Sequence, residues 1–219
     1  MSKTHIYFVP GMAANSKIFE HLSLDKNLFE CHYLEWKIPT SKDESIQSYA
    51  QRMCEEIKHK DPVLIGVSFG GIIVQEMRKI ISTKKNIIIS SIKSNLELPK
   101  RFKLAAATKA YKLFPAKFLE NLNAYINYFL GDYQSKKLEA YQKYMTVRDA
   151  TYLHWAIDCV LHWQQDQSEE GIVHIHGTKD EVFPIKHINN CIEIENGTHA
   201  MILIKAKLIT NQIQKLLIC

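Results

Sequence analysis

The chain has 219 residues, of which 46% are hydrophobic and 23% charged, with a formal net charge of +5. That length suits one domain with a large core and an inserted subdomain. The mild positive charge does not establish nucleic-acid binding, which needs a basic stripe or a known module, and no nucleic-acid partner is expected. Cys31, Cys54, Cys159, Cys191 and Cys219 are odd in number and form no C-x-x-C pair, which fits free thiols better than a disulfide framework.

The start, MSKTHIYFVPG, has no apolar stretch of signal-peptide length, and no run of about eighteen apolar residues predicts a membrane span. The expected compartment is the cytoplasm. Residues 5–9 (HIYFV) read as a strand, and Pro10 to Asn15 as a loop. A helix can begin at Ser16. Residues 29–36 (FECHYLEW) alternate as a strand and end before Pro39. Asp43 or Ser45 can cap a helix running to about Lys58, with Ile46, Tyr49, Ala50, Met53, Cys54 and Ile57 on one face.

Residues 62–81 (PVLIGVSFGGIIVQEMRKII) organise the rest. Val63-Leu64-Ile65 is a buried-strand run. Ile72, Ile73, Val74, Met77, Ile80 and Ile81 have helical spacing. Between them lies Gly66-Val67-Ser68-Phe69-Gly70-Gly71, a sharp strand-to-helix turn with a serine at its apex. The glycines stand where side chains would collide as the chain reverses. Such a turn holds a hydroxyl above the carboxyl edge of a sheet, at the positive end of a helix.

Residues 85–91 (KNIIISS) form another buried strand. From 92 to about 146 the pattern is helical, broken by Pro99 and Pro115, with a turn at Gly131-Asp132. Asp149 caps a helix to about Gln164. Residues 172–176 and 191–195 are strands, and 200–218 is a final amphipathic helix. Strands alternating with helices predict a mostly parallel sheet. The helical stretch at 92–147 interrupts that alternation and reads as a lid over the carboxyl edge, where ligands of such sheets bind.

A serine hydroxyl needs a base within hydrogen-bond reach, and the base needs an orienting carboxylate. Asp180 follows one strand in IVHIHGTKDEVFP, and His199 follows the next in EIENGTHAM. Ser68, Asp180 and His199 stand in the expected chain order, each at a strand's carboxyl end. Glu181 competes for the acid's role, and Asp158 is a rival that falls within a helix. Oxyanion stabilisation needs two backbone N–H groups. Phe69, directly after the serine, offers one. Met12 is the best candidate for the other, because Pro10 has no N–H and Gly11 permits close approach. His174 and His176 alternate on one strand as metal ligands sometimes do, but spacing suggests no third ligand.

VPGM at 9–12, GVSFGG at 66–71, HGTKDEVFP at 176–184 and NGTHAM at 196–201 together resemble the α/β-hydrolase superfamily. The resemblance implies an α/β-hydrolase fold with a sheet of about six strands, helices on both faces and a helical lid. Residues 1–91 and 148–219 would be the core and 92–147 the lid. By motif, Ser68 is the nucleophile, Asp180 the acid, His199 the base, and Met12 and Phe69 the oxyanion donors. Two features depart from the pattern. Many relatives have His-Gly where this chain has Pro10-Gly11. Many also open with an antiparallel hairpin, so a trimmed sheet is expected here.

The implied activity is that of a serine hydrolase acting on a small, largely apolar carboxylic ester or thioester through an acyl-enzyme on Ser68, with no cofactor or metal. The superfamily also hosts amidases, lyases and perhydrolases, and a catalytically silent binding protein is a further alternative. The lid is apolar at Leu113, Phe114, Phe118, Leu119, Leu122, Tyr125, Ile126, Phe129 and Leu130, which suits an acyl-binding wall or a self-packed hairpin. Lys100, Arg101, Lys103, Lys109, Lys112 and Lys117 make it basic. Such a run reads as a solvated face, with a preference for anionic substrates or a docking surface as the alternatives.

Overall fold

Runs of β-branched and aromatic residues make the strands. The computed structural model of the protein describes residues 3–109 and 143–218. Its strands are β1 (Thr4–Val9), β2 (Phe29–Tyr33), β3 (Val63–Val67), β4 (Lys85–Ile89), β5 (Ile172–Gly177) and β6 (Ile192–Ile194). They form one sheet in the order β2-β1-β3-β4-β5-β6. Every neighbouring pair is parallel. Val63, Leu64, Ile65, Ile87, Ile88 and Ile89 are fully buried, which explains the unbroken apolar runs of the two central strands.

The helices are α1 (Ile46–Cys54), α2 (Phe69–Arg78), α3 (Lys100–Thr108), α4 (Ala150–His162), α5 (Met201–Ile204) and α6 (Ala206–Ile218). Alternation along the strands sends side chains to opposite faces. Tyr7, Val9, Leu64 and Ile88 pack under α1, α2 and α4, against Tyr49, Met53, Ile73, Met77 and Trp155. Ile6, Phe8, Ile65, Ile87 and Ile175 pack on the other face against Phe19, Ile209 and Ile213. Each fully buried side chain of this kind stabilises the fold by about 1.5–3 kcal/mol before entropy is counted.

Ser45, not Asp43, caps α1, accepting from the Ser48 amide at 3.1 Å. Asp149 caps α4 as expected, accepting from the Tyr152 amide at 2.9 Å. α1 stops at Cys54 rather than near Lys58. The Lys58 amide donates to the Tyr7 hydroxyl at 3.0 Å, a tertiary partner that takes the chain out of the helix. The C-terminal helix divides at Lys205. Its two pieces serve different surfaces: α6 covers the sheet, while Ile202 and Leu203 of α5 line a cavity.

Of the expected lid, the described parts are a 3-10 turn at Asn95–Glu97, α3, and the stretch from Lys143 to α4. Lys112, Leu113, Phe114, Pro115, Lys117, Phe118, Leu119, Leu122, Tyr125, Ile126, Phe129, Leu130 and the Gly131-Asp132 turn lie outside the described residues. Among the described residues no helix is long and apolar enough to cross a membrane.

Candidate active site

β3 delivers its last residue, Val67, to the sheet's carboxyl edge, and α2 starts at Phe69. Ser68 makes the whole turn between them, at φ 53° and ψ −120°. A non-glycine residue there carries strain of about 1–3 kcal/mol. The surroundings hold it in place. The Ser68 amide donates to Ile89 O at 2.9 Å, and Ser91 Oγ donates to the Ser68 carbonyl at 2.7 Å. A Cβ at Gly66 would overlap the Gly70 carbonyl, and one at Gly70 would overlap the carbonyls of Val9 and Pro10. The elbow is therefore packed directly against the loop after β1.

His199 Nε2 lies 2.9 Å from Ser68 Oγ. On its other side, Nδ1 lies 2.9 Å from Asp180 Oδ2 and 3.1 Å from Oδ1. A carboxylate only accepts, so the imidazole proton sits on Nδ1 and leaves Nε2 free to accept the serine's. Asp180 Oδ1 also accepts from the amides of Val182 and Phe183, each at 2.9 Å. Asp180 is buried, while Ser68 and His199 are partly exposed to the cavity above. Glu181 is exposed, and Asp158 sits on α4 with its carboxylate 3.6 Å from His162. Asp180 is the carboxylate that meets His199.

The loops carrying Asp180 and His199 are joined backbone to backbone. Lys179 N donates to Gly197 O at 2.8 Å and Thr178 N to Ile194 O at 3.1 Å. A Cβ at Gly177 would overlap the Gly197 carbonyl. Beneath this junction His176 Nε2 donates to the Phe183 carbonyl at 2.8 Å, and its Nδ1 accepts from His174 Nε2 at 3.0 Å. Both rings are buried. Burial pushes the His176 pKa down and the His174 pKa well down. The pair thus braces the Asp180 loop: both nitrogens of His176 and Nε2 of His174 are engaged, while the buried His174 Nδ1 has no hydrogen-bond partner among the described residues.

Met12 and Phe69 both line the cavity beside Ser68. Among the described residues neither amide N–H is taken by a hydrogen-bond partner. The Gly11 carbonyl, by contrast, accepts twice: from Ala14 N at 3.1 Å and from the indole Nε1 of Trp36 at 2.9 Å. In a trans peptide the carbonyl and the following N–H point in opposite directions. Fixing Gly11 O therefore aims Met12 N–H away from Trp36. Pro10-Gly11 builds this loop. Trp36 is the site residue that sequence patterning missed. It reads there as the end of a strand, and its partner is 25 residues away.

The cavity over Ser68 and His199 has a volume of about 110 Å3 and walls that are largely carbon. Phe102 of α3, Met145, Val160 of α4, Val182, Ile202 and Leu203 contribute to it. Arg101 is not simply a solvated cation: its guanidinium donates to the carbonyls of Glu181 at 2.6 Å and Val182 at 3.1 Å, tying α3 to the Asp180 loop.

No protein-family model matches the chain, and no curated protein matches it in sequence. Solved structures do. MenH from S. aureus matches with a TM-score of 0.75 at 13% identity, over 98% of this chain and 94% of that one. A bromoperoxidase from Bacillus anthracis matches with a TM-score of 0.68 at 15% identity, over 100% of this chain and 93% of that one. A lipase-esterase related protein from Clostridium acetobutylicum matches with a TM-score of 0.67 at 19% identity, over 97% and 93% of the two chains. The all-parallel sheet, the strand order and these likenesses lead to one conclusion: the chain has the fold of the α/β-hydrolase superfamily.

Proposed function

We propose that the protein is a serine hydrolase that cleaves a carboxylic ester or thioester with a small, largely apolar acyl group. The observation that carries this reading is the continuous relay from Ser68 Oγ through His199 to Asp180, with 2.9 Å at each junction. His199 Nε2 takes the hydroxyl proton as Ser68 Oγ attacks the substrate carbonyl carbon. Asp180 holds the tautomer and stabilises the imidazolium that forms. The amides of Met12 and Phe69 receive the oxyanion. His199 then hands its proton to the departing alcohol or thiol, leaving an acyl group on Ser68. A water molecule, deprotonated by His199, releases the acid and restores the hydroxyl. The chemistry needs no cofactor, and the carbon-walled cavity supports an apolar acyl group. Esterase and lipase neighbours of the same fold are consistent with it.

The test is a fluorophosphonate probe followed by an acyl-length series of p-nitrophenyl esters and acyl thioesters, with Ser68→Ala as the blank. Labelling at Ser68 and turnover that fades with longer acyl chains are expected. A wild-type protein that neither labels nor turns over any member of the series is a silent binder, and the proposal fails.

A further inference from the structure

Far from Ser68 in the sheet, three imidazoles gather on one face. His5 is the second residue of β1, His32 lies on β2, and His59 lies in the connection between α1 and β3. β1 and β2 are parallel, with His5 opposite Glu30 and Tyr7 opposite His32. Alternation therefore sends His5, Tyr7, Glu30 and His32 to the same side. His59 folds over them from above, its ring stacked on His5 with centroids 3.5 Å apart. Among the described residues this is the group of histidine, cysteine or acidic side chains whose donor atoms converge as metal ligands do, all within 4.8 Å of one another.

The details suit an ion. His5 Nδ1 and His32 Nε2 are 3.1 Å apart. Two nitrogens bound tetrahedrally to zinc at 2.0–2.1 Å stand about 3.3 Å apart. The Glu30 carboxylate spans the same two rings, with one oxygen 3.8 Å from His5 Nδ1 and the other 3.8 Å from His32 Nε2. His59 Nδ1 is engaged by the Tyr7 hydroxyl at 2.7 Å, which leaves Nε2 available as its ligand atom. Such a contact to the outer nitrogen is the usual support of a ligating histidine. The imidazoles are about a quarter exposed at His5 and His32, so an ion can enter from solvent.

We propose that His5, His32 and His59, with Glu30 in the fourth position, form a binding site for a late first-row divalent cation, zinc foremost. Three imidazole nitrogens and one carboxylate oxygen match the borderline donor preference of that ion, and exclude calcium and magnesium, which favour all-oxygen sets. An ion lies in the plane of each ligand ring, so binding turns the His59 ring out of its stack on His5. Its place on a loop leaves that turn open. The three rings bind neutral, each with its proton on the nitrogen facing away from the ion. Val9, at the catalytic edge, lies four residue steps along β1 from His5, roughly 13 Å of strand. The ion would therefore clamp β1, β2 and the α1–β3 connection, and would take no part in the reaction at Ser68.

Calorimetric titration of tag-free protein with zinc chloride tests this, alongside thermal unfolding with and without zinc. One ion per chain at micromolar affinity or better is expected, with a zinc-dependent rise in the unfolding midpoint. His59→Ala, on a loop, and His32→Gln should each weaken binding by about 10-fold or more and remove the midpoint rise. Glu30→Gln should weaken it less. Cobalt chloride should give visible bands of tetrahedral coordination that are lost in His59→Ala. Wild-type protein that takes up no zinc at sub-millimolar concentration overturns the proposal. So does binding of undiminished affinity in a His59→Ala protein whose circular dichroism matches wild type.

Discussion

The indole of Trp36 donates to the carbonyl oxygen of Gly11 at 2.9 Å, and so sets the direction of the peptide that carries the Met12 N–H. The same indole lies beside Phe69, whose amide is the other candidate oxyanion donor, with ring centroids 5.3 Å apart. One side chain thus touches both halves of the proposed oxyanion hole.

Trp36→Phe keeps the ring contact and removes the donor. Deleting an oxyanion donor outright costs about 100- to 1,000-fold in rate. Freeing its peptide to wobble costs less, and a fall in kcat of about 10-fold with KM nearly unchanged is expected. Steady-state kinetics on the best ester from the acyl series decide it. An effect confined to KM would mean that Trp36 merely shapes the cavity.

Ser68 occupies a backbone conformation that suits glycine, at φ 53°. Ser68→Gly should relieve the strain and raise unfolding free energy by about 1 kcal/mol, after the larger entropy of the unfolded glycine chain is subtracted. Ser68→Ala keeps the strain and should unfold close to wild type. Both should be inactive. Urea denaturation of the three proteins reads the difference, and equal stability of the glycine and alanine variants would argue that the turn is relaxed.

Gly177 does not have a positive φ, so alanine fits its backbone. The obstacle is contact alone, because the new methyl would meet the Gly197 carbonyl. Gly177→Ala should cost about 1–3 kcal/mol, as overpacking generally does. It should also pull apart the loops of Asp180 and His199, lowering kcat more than it raises KM. Retained kcat at reduced stability would show that the two loops hold their relation without this approach.

His174 and His176 are held neutral by burial, with pKa values below the ordinary range. The unfolded chain takes up protons below about pH 6.5 that the folded chain refuses. Their stabilising effect is therefore complete above that pH and is lost as the pH falls toward the depressed folded values. Each ring adds a slope of up to about 1.4 kcal/mol per pH unit. Urea melts at pH 7.5 and 5.5 should show this loss in wild type and a smaller one in His174→Gln. An equal loss in the variant would assign the acid sensitivity to other groups.

What could be read from the chain was local or periodic. The run around Ser68 carries its own turn chemistry in Gly66 and Gly70, so the elbow shows in a window of six residues. The strands of β3 and β4 show because their burial on both faces forces unbroken apolar sequence. Asp180 and His199 stand out as candidates because chain order and strand ends restrict the choice. The periodic pattern runs past the end of α1 at Cys54 because a distant hydroxyl, that of Tyr7, takes the Lys58 amide. Trp36 and the His5, His32 and His59 group escaped for the same reason. Their meaning lies in contacts across 25 to 52 residues, and nothing in their immediate neighbours marks them.

Ser68, Asp180 and His199 hang from the ends of β3, β5 and β6, and the stretch from Ile92 to Asp149 supplies none of them. What its described residues do supply is cavity wall, through Phe102, Tyr144 and Met145, and an anchor, the Arg101 guanidinium on the Asp180 loop. The rest of the described wall, including Val160, Val182, Ile202 and Leu203, comes from the same part of the chain as the trio. Replacing Phe102, Tyr144 or Met145, with Arg101 kept, would therefore reshape one side of the cavity without touching Ser68, Asp180 or His199.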